Sequence, residues 1–320
     1  NMSDYFQHWL NTGAKAPKAN GAPTHVAVIF DHSSETFRNA IYPLYKANRP
    51  ELPEDLRPQF PLTREATRAF NVPCIEMAGY EADDIMATLA SQAAAAGGDC
   101  TIISSDKDLM QLVGQCGEGG GCVDMLDTMK NQRIDVPEVI EKFGVPPSLV
   151  GDVLALMGDS VDNIPGIYGV GPKTATKLIQ EHGSLAGALD AAPSMKPSKL
   201  QERLVEGRTM AELSRVLVQL KEDCALPIPL DDMKLDGVPP EPLAAFLSEH
   251  GFTSLLKRLD GGRGSPDRPT QLVDIVEHDD RAFVEAEVLD RVLDLAVLDV
   301  EGAVAGQAGQ QHGLRIDHAD

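Results

Sequence analysis

The stretch GDSVDNIPGIYGVGPKTATKLIQEHG, Gly158 to Gly183, constrains this chain more than any other. Two carboxylates, Asp159 and Asp162, stand directly before a glycine-rich turn that opens into a lysine-bearing helix. Gly169 and Gly171 can take backbone conformations closed to other residues, which lets a phosphate approach the main chain. The N–H groups of Lys173 and Thr174 begin a helix whose positive end favours an anion. An ordinary helix–turn–helix with a glycine connector carries the same GxG. The two aspartates in front of it point instead to an acid pair beside a grip for a phosphate backbone.

Upstream, strand and helix signals alternate. HVAVIF, His25 to Phe30, is a β-branched apolar run that reads as a buried strand and ends at Asp31. CTIIS, Cys100 to Ser104, is a second such run, leading to Asp106. Between them TREATRAF (Thr63 to Phe70) and EADDIMATLASQAAAA (Glu81 to Ala96) read as helices, the latter stopped by Gly97 and Gly98. This order predicts an α/β domain with a mostly parallel central sheet flanked by helices. In such sheets ligands bind outside the carboxyl ends of the strands, where Asp31 and Asp106 fall. QCGEGGGC, Gln115 to Cys122, is a glycine-rich excursion, followed by a short strand around CVDML. From Pro137 to Leu259 the pattern is helical, with Pro137, Pro146 and Pro147 at helix starts. DGGRGSPDRP, from Asp260, reads as a linker. Beyond it a Val/Asp/Glu-rich segment fits an acidic amphipathic helix or interaction tail and carries no chemical motif.

Eight carboxylates stand at strand ends or helix ends: Asp31, Glu81, Asp83, Asp84, Asp106, Asp108, Asp159 and Asp162. Singly, each has a plain structural reading as a cap, a first-turn acid or a polar turn. Jointly they form a set of hard oxygen donors with no interleaved His or Cys, which suits Mg²⁺ or Mn²⁺ rather than zinc. Two such ions about 4 Å apart are the common arrangement for cutting phosphodiesters. No rival Ser/His/Asp or Cys/His nucleophile set is present. In TFRNAIYPLYKANRPELPEDL, Arg38, Lys46 and Arg49 are placed to meet phosphates, and Tyr42 and Tyr45 to stack on bases. The proline-punctuated end of that segment does not suit one continuous helix.

The net charge of −21 opposes a general nucleic-acid binder. Much of it is localised: residues 261–320 hold 13 Asp and Glu against 5 Arg and no Lys, and eight more carboxylates belong to the candidate cluster. Indiscriminate binding is excluded; a metal-dependent site with local basic contacts is not. No apolar run approaches the roughly 20 residues needed to cross a bilayer. NMSDYFQHWL has no secretion-signal pattern. Cys74, Cys100, Cys116, Cys122 and Cys224 form no CxxC pair and no zinc spacing, so a reducing, cytoplasmic setting fits.

FDHSSETFRNAIYPLYKANRPELPEDL, GYEADDIMATLA, SSDKDLMQLV and ALMGDSVDNIPGIYGVGPKTATKLI, in this order, resemble the 5′ nuclease domains of bacterial DNA polymerases I, within the flap endonuclease superfamily. The resemblance runs from about Thr24 to Leu259. It implies a PIN-like 5′ nuclease fold with a helical arch, then a helical helix–hairpin–helix subdomain that grips duplex DNA. It implies hydrolysis of phosphodiesters at 5′ ends, flaps and nicks with two or more divalent ions, in primer removal and repair. On this resemblance the eight acids named above are the metal-site acids. Lys46 is the arch lysine at the scissile phosphate, with Arg49 and Arg38 its basic companions. Tyr45, Gly169, Gly171, Lys173 and Thr174 contact DNA, and the hairpin is a candidate for a monovalent cation.

The organisation expected is an irregular or helical remnant over 1–23, a nuclease core over 24–135, the helical subdomain over 136–259, a linker over 260–270 and an acidic tail over 271–320. Relatives begin with another strand bearing a metal-site aspartate, which this chain lacks before Val26; it therefore reads as amino-terminally truncated. The leading expectation is a monomeric, cytoplasmic, nucleoid-associated 5′-3′ exonuclease and flap endonuclease, joined to polymerase domains in a full-length protein. The alternative is a catalytically impaired DNA-binding fragment. A phosphatase using Asp31 as nucleophile would leave the glycine hairpin unexplained.

Overall fold

The structure, a computed structural model, describes residues 23–50, 53–54, 56–127, 130, 132–261 and 294–299. Expectations for 1–22, the 262–293 segment and 300–320 lie outside the described residues. The chain opens with β1 (His25–Ile29), whose alternating apolar side chains are buried on both faces. A short helix α1 (Phe37–Ile41) follows, started by Thr36, which accepts the Arg38 N–H. Helix α2 (Gln59–Ala69) leads to the two-residue β2 (Cys74–Ile75).

Helix α3 (Ala82–Ala95) is the central helix: Ala82, Ala87, Ala90, Ala93 and Ala94 and its Ile85, Met86 and Leu89 are buried. Its start is a reciprocal cap, Glu81 with Asp84, and its end falls at the glycine pair foreseen in the sequence. Then come β3 (Asp99–Ile103), a 3-10 turn over Asp108–Leu112, β4 (Val123–Asp127) and β5 (Gln132–Ile134).

The helical part begins with α4 (Val136–Phe143) and α5 (Val150–Met157). It continues through α6 (Pro172–His182), α7 (Leu185–Ala191), α8 (Lys199–Glu206) and α9 (Arg208–Val218). One apolar core is continuous from Ile29, Ile85 and Ile102 through Leu154 to Leu178, Leu204 and Leu217, so sheet and helices share an interior. The last described helices, α10 (Pro240–Glu249) and α11 (Thr253–Gly261), make a second core with Ala69 of α2. Among the described residues no helix is long and apolar enough to cross a membrane.

The sheet has six strands in the order β2-β1-β6-β3-β4-β5, where β6 is Asp294–Asp299. β1 to β4 all run the same way, as the strand–helix alternation predicts. β5 opposes β4, and β6 is antiparallel to both its neighbours. Residues 294–299 therefore correct the sequence reading of the tail: they form a strand and not a helix. DLAVLD is short, apolar at its centre and flanked by acids, a pattern that a strand buried between two others satisfies as well as a helix does. Its neighbours decide the matter, because β1 and β3 each present a free hydrogen-bonding edge that one strand can pair on both sides. The sheet centre, where the resemblance implied a missing strand, is filled by β6.

Val297 is paired with Val26 on one side and Thr101 on the other. Proline there removes a ladder bond from a central strand. We expect Val297→Pro to lower the melting temperature by several degrees in circular dichroism. An unchanged transition would show that β6 contributes nothing to the sheet.

Candidate active site

The carboxyl ends of β1 and β3, the start of α3 and the loop after α5 meet in one place. β1 delivers Asp31, whose Oδ1 accepts the Ala82 N–H at 2.8 Å. That is the first N–H of α3, so the carboxylate sits at the positive end of the helix. Past β3, Ser104 Oγ accepts the Asp106 N–H, and Asp106 Oδ1 accepts the Asp108 N–H at 2.8 Å. These side-chain-to-backbone bonds shape the run SSDKD as it leaves the strand. After α5, Asp159 and Ile164 exchange backbone hydrogen bonds, closing the loop, while Asp159 Oδ1 accepts the Val161 N–H at 2.7 Å.

The segment 44–49 docks on that loop. The Lys46 N–H donates to the Asp162 carbonyl at 2.9 Å, Asn163 Nδ2 to the Leu44 carbonyl and Asn48 Nδ2 to the Ser160 carbonyl, both at 2.6 Å. Lys46 and Asn163 hold positive φ values of 57° and 56°, an unfavourable conformation for side-chain-bearing residues that these bonds maintain.

Charge balance governs the site. Lys46 Nζ lies 2.7 Å from Glu81 Oε1 and 3.9 Å from Asp162 Oδ2, and Arg49 Nη2 lies 2.6 Å from Asp162 Oδ1. Lys107 Nζ bridges Asp159 Oδ2 and Asp108 Oδ1. Thus Lys46 spans Glu81 and Asp162 from a third segment, while Lys107 ties its own neighbour Asp108 to Asp159. Burial by itself would lower the Lys46 and Lys107 pKa values, but the facing carboxylates outweigh it and hold both ammoniums charged. Burial also pushes Asp159 up, yet Lys107 and the Val161 and Asp162 N–H groups overcome this and hold its carboxyl below the usual range.

Asp108 goes the other way. Its burial, then the adjacent Asp106 charge, raise it to about 6 against the partial relief from Lys107. Among the described residues Asp108 Oδ1, a buried oxygen, accepts no hydrogen bond, and the Lys107 ammonium faces it at 3.3 Å. The donor set is oxygen only, and an underserved buried carboxylate oxygen sits within it; that chemistry fits a hard divalent cation. Among the described residues, however, no three Asp, Glu, His or Cys side chains converge closely enough to hold one ion together.

Several expectations from the sequence need correction. Arg38 cannot meet a phosphate: it is 1% exposed, its Nη1 and Nη2 grip Asp84 at 2.7 and 2.8 Å, and it also donates to the Leu217 and Gln219 carbonyls. Asp84 is fully buried and already accepts from Arg38, the Glu81 N–H and the Lys221 N–H, so in this structure it braces the start of the helix. Tyr45 is 4% exposed and donates its hydroxyl to Glu81 at 3.0 Å, so it supports that carboxylate and does not stack on a base. Tyr42 is half-buried against the core. Asp83 occupies the first turn of α3, next to Asp84.

At the hairpin, Gly169 has φ +74°, as foreseen, and a side chain there would strike the Arg203 guanidinium. Gly171 has an ordinary φ of −93° and serves as the N-cap of α6. Its carbonyl takes the Thr174 N–H at 3.0 Å, which is therefore not open to an anion in this state. Lys173 is exposed. Two residues the sequence reading missed stand beside this turn. Tyr168 is 85% exposed, and the Arg203 guanidinium lies 5.2 Å from its ring centre. Nothing in the local pattern of α8 distinguishes Arg203 from other surface charges; only the fold brings it here. Lys107 was visible between its two acids, but its bridge to Asp159 spans 52 positions.

A resolvase-like α/β domain with an acidic site at its strand ends, followed by a helical subdomain, defines the class, and comparison gives the family. The model described as "5'-3' exonuclease, N-terminal resolvase-like domain" matches residues 8–144, and "5'-3' exonuclease, C-terminal SAM fold" matches 145–241. The chain belongs to this 5′-3′ exonuclease family.

It is 52% identical over 237 residues to DNA polymerase I of Rhizobium leguminosarum, covering 74% of this chain and 23% of that one. It is 37% identical over 256 residues to DNA polymerase I of Bacillus caldotenax, covering 78% and 28%. The chain thus spans about a quarter of the length of these relatives. In fold it resembles the T5 5′-exonuclease with bound zinc, at TM-score 0.57, 22% identity and coverage of 78% and 89%. It likewise resembles the bacteriophage T5 flap endonuclease complexed with DNA and metal ions, at 0.53, 20%, 87% and 92%.

Two outcomes follow from the ionic structure. Removing one partner of a buried bidentate pair strands the other charge, at about 3–5 kcal/mol. Arg38→Met should therefore cost that much in urea unfolding, and Arg38→Met/Asp84→Leu should recover a large part of it. For Asp108, the folded chain binds its proton more tightly than the unfolded one, whose value is near the ordinary 3.8. Stability therefore falls as pH rises from about 4 to 6 and stays lowered above. In chelator-containing buffer, Asp108→Asn should be more stable than the parent at pH 7.5 by about 2 kcal/mol. That gap should close near pH 4.

Proposed function

We propose that this chain is a structure-specific 5′-3′ exonuclease and 5′-flap endonuclease that hydrolyses DNA phosphodiesters with Mg²⁺ or Mn²⁺ in primer removal and repair. The observation that carries the reading is the meeting of Lys46 with Glu81 and Asp162. An arch lysine, the start of the central helix and the loop before the glycine hairpin come from three separate segments to one point. Family membership over residues 8–241 gives this meeting its chemical sense.

In this reading Asp106, Asp108, Asp159, Asp162, Glu81 and Asp31 are the acids that hold cations, with Asp83 next to them. Divalent ions bound there would acidify an attacking water and offset charge on the phosphate. Lys46 and Arg49 lie on the arch side and take the scissile phosphate, exchanging their carboxylate partners for it. Tyr45 keeps Glu81 aimed through its hydroxyl. Gly169, Gly171 and Lys173, with Tyr168 and Arg203 beside them, hold the backbone of the uncut duplex. The division into a core over 24–135 and a DNA-gripping part over 136–259 belongs to the same proposal. So do a monovalent ion at the hairpin, action as a monomer in the bacterial cytoplasm, and polymerase domains elsewhere in a longer protein.

The test is cleavage of a 5′-flap substrate in Mg²⁺ against an Asp106→Ala/Asp108→Ala control. We expect metal-dependent cutting by the parent and a loss of at least ~10²-fold in the control and in Lys46→Ala. Lys173→Ala should weaken duplex binding and reduce its salt slope by about one, with little change in the rate at saturation. Duplex binding without any metal-dependent cutting by the parent would favour a non-catalytic DNA-binding fragment.

A further inference from the structure

Outside the acidic site, the hairpin between the 3-10 turn and β4 has an unusual construction. Cys116 and Cys122 face each other across an antiparallel bridge with their Cα atoms 4.1 Å apart, and their sulfurs are joined. Backbone bonds flank the pair on both sides: Gly114 N–H to the Val123 carbonyl at 2.8 Å, and Gly117 N–H to the Gly121 carbonyl at 2.9 Å. Four of the five residues between the cysteines are glycine.

Those glycines let the hairpin lie directly on the turn that ends α3. A side chain at Gly117 would run into the Ala94 carbonyl, at Gly119 into Gly97, and at Gly121 into Gly98. At these glycines the docking is backbone against backbone, and glycine-rich backbone loses more freedom on ordering than any other. The cross-link adds to the hairpin's backbone hydrogen bonds in opposing that loss.

The other thiols are poor competitors for an oxidant. Cys100 and Cys224 are buried, and burial pushes the Cys74, Cys100 and Cys224 thiols up. Cys116 is exposed and Cys122 half-buried.

We propose that Cys116 and Cys122 are a reversible redox clasp, closed by thiol–disulfide exchange with an oxidised low-molecular-weight disulfide and opened by a thiol reductant. Closure locks hairpin 114–123 in the shape that lies against the end of α3. The Cys116 thiolate attacks one sulfur of oxidised glutathione, forming a mixed disulfide and releasing one glutathione thiolate. The Cys122 thiolate then displaces the second glutathione. Two protein thiols lose two electrons and two protons, and one glutathione disulfide becomes two glutathione molecules. The clasp lies at the start of β3, where Cys100 donates its N–H to the Cys122 carbonyl at 2.9 Å, whereas the acids lie past the end of that strand. It therefore acts on local rigidity and does not rest on the nuclease reading.

The full chain, reduced and then treated with oxidised glutathione, would be unfolded and labelled with iodoacetamide, and each cysteine read by peptide mass spectrometry. Label should vanish from Cys116 and Cys122 together, persist on Cys74, Cys100 and Cys224, and return after phosphine reduction. Glu118, exposed at the hairpin tip, gives a second readout. A glutamate-specific protease should cut there about tenfold more slowly in the oxidised native chain. Cys122→Ser should stop at a glutathione adduct on Cys116. Equal labelling of all five cysteines, a glutathione adduct persisting on the parent, or equal cleavage at Glu118 in both states would each overturn the proposal. The labelling and cleavage readouts use the parent chain, so they decide even if the variant does not fold.

Discussion

Arg38 and Asp84 meet inside the protein through two parallel hydrogen bonds, and three distant parts of the chain are organised around them. The guanidinium also donates to the carbonyls of Leu217 and Gln219 at the end of α9, and the carboxylate takes the N–H groups of Glu81 and Lys221. Desolvating two such ions costs several kcal/mol each, so the arrangement is tenable only because nearly every donor and acceptor is satisfied. A planar bidentate fork also fixes direction, which an ammonium would not. It sets the exit of α1, so that the next residues, Tyr45, Lys46 and Arg49, arrive over Glu81 and the 159–163 loop.

On that frame the site holds carboxylates together by interleaving cations. Lys46, Arg49 and Lys107 each lie between or beside acids from other segments, and without them the acids would repel. The balance is uneven. Asp159 is well served, whereas Asp108 is buried beside Asp106 with a single ammonium facing it. This is the place where added positive charge would relieve the most repulsion. In the proposed function, a phosphate arriving there would offer Lys46 and Arg49 an alternative partner. The same ion pairs that stabilise the free protein therefore mark where its ligands would compete.

Much of this was legible in the amino-acid order. HVAVI and DCTII became strands because their β-branched runs are bounded by polar residues. EADDIMATLASQAAA became a helix with its cap in place, and the glycine hairpin led into α6. What misled was chemistry judged one residue at a time. Arg38 looks like Lys46 and Arg49 in a string, yet it is the one carried inside. Tyr45 looks like a stacking residue and is a buried hydroxyl donor. Asp84 looks like Asp83 but is the fully buried one of the two, because adjacent positions on a helix lie about 100° apart and meet different surroundings. The DLAVLD segment, weak in period, was settled by the two strand edges that needed a partner.

The sequence by itself determined the local elements, the position of each acid at an element's end and the glycine turn, because periodicity, capping and turn chemistry act over a few residues. It also determined the family, because four ordered motifs leave little freedom. Tertiary structure alone decided which charges are structural and which are available. Whether Arg38 is buried, whether Lys107 reaches Asp159, whether Arg203 stands over Tyr168 and whether Cys116 meets Cys122 depend on where the backbone goes between them. Burial and pairing are properties of that path, and they set the solvation and electrostatics on which each side chain's role rests.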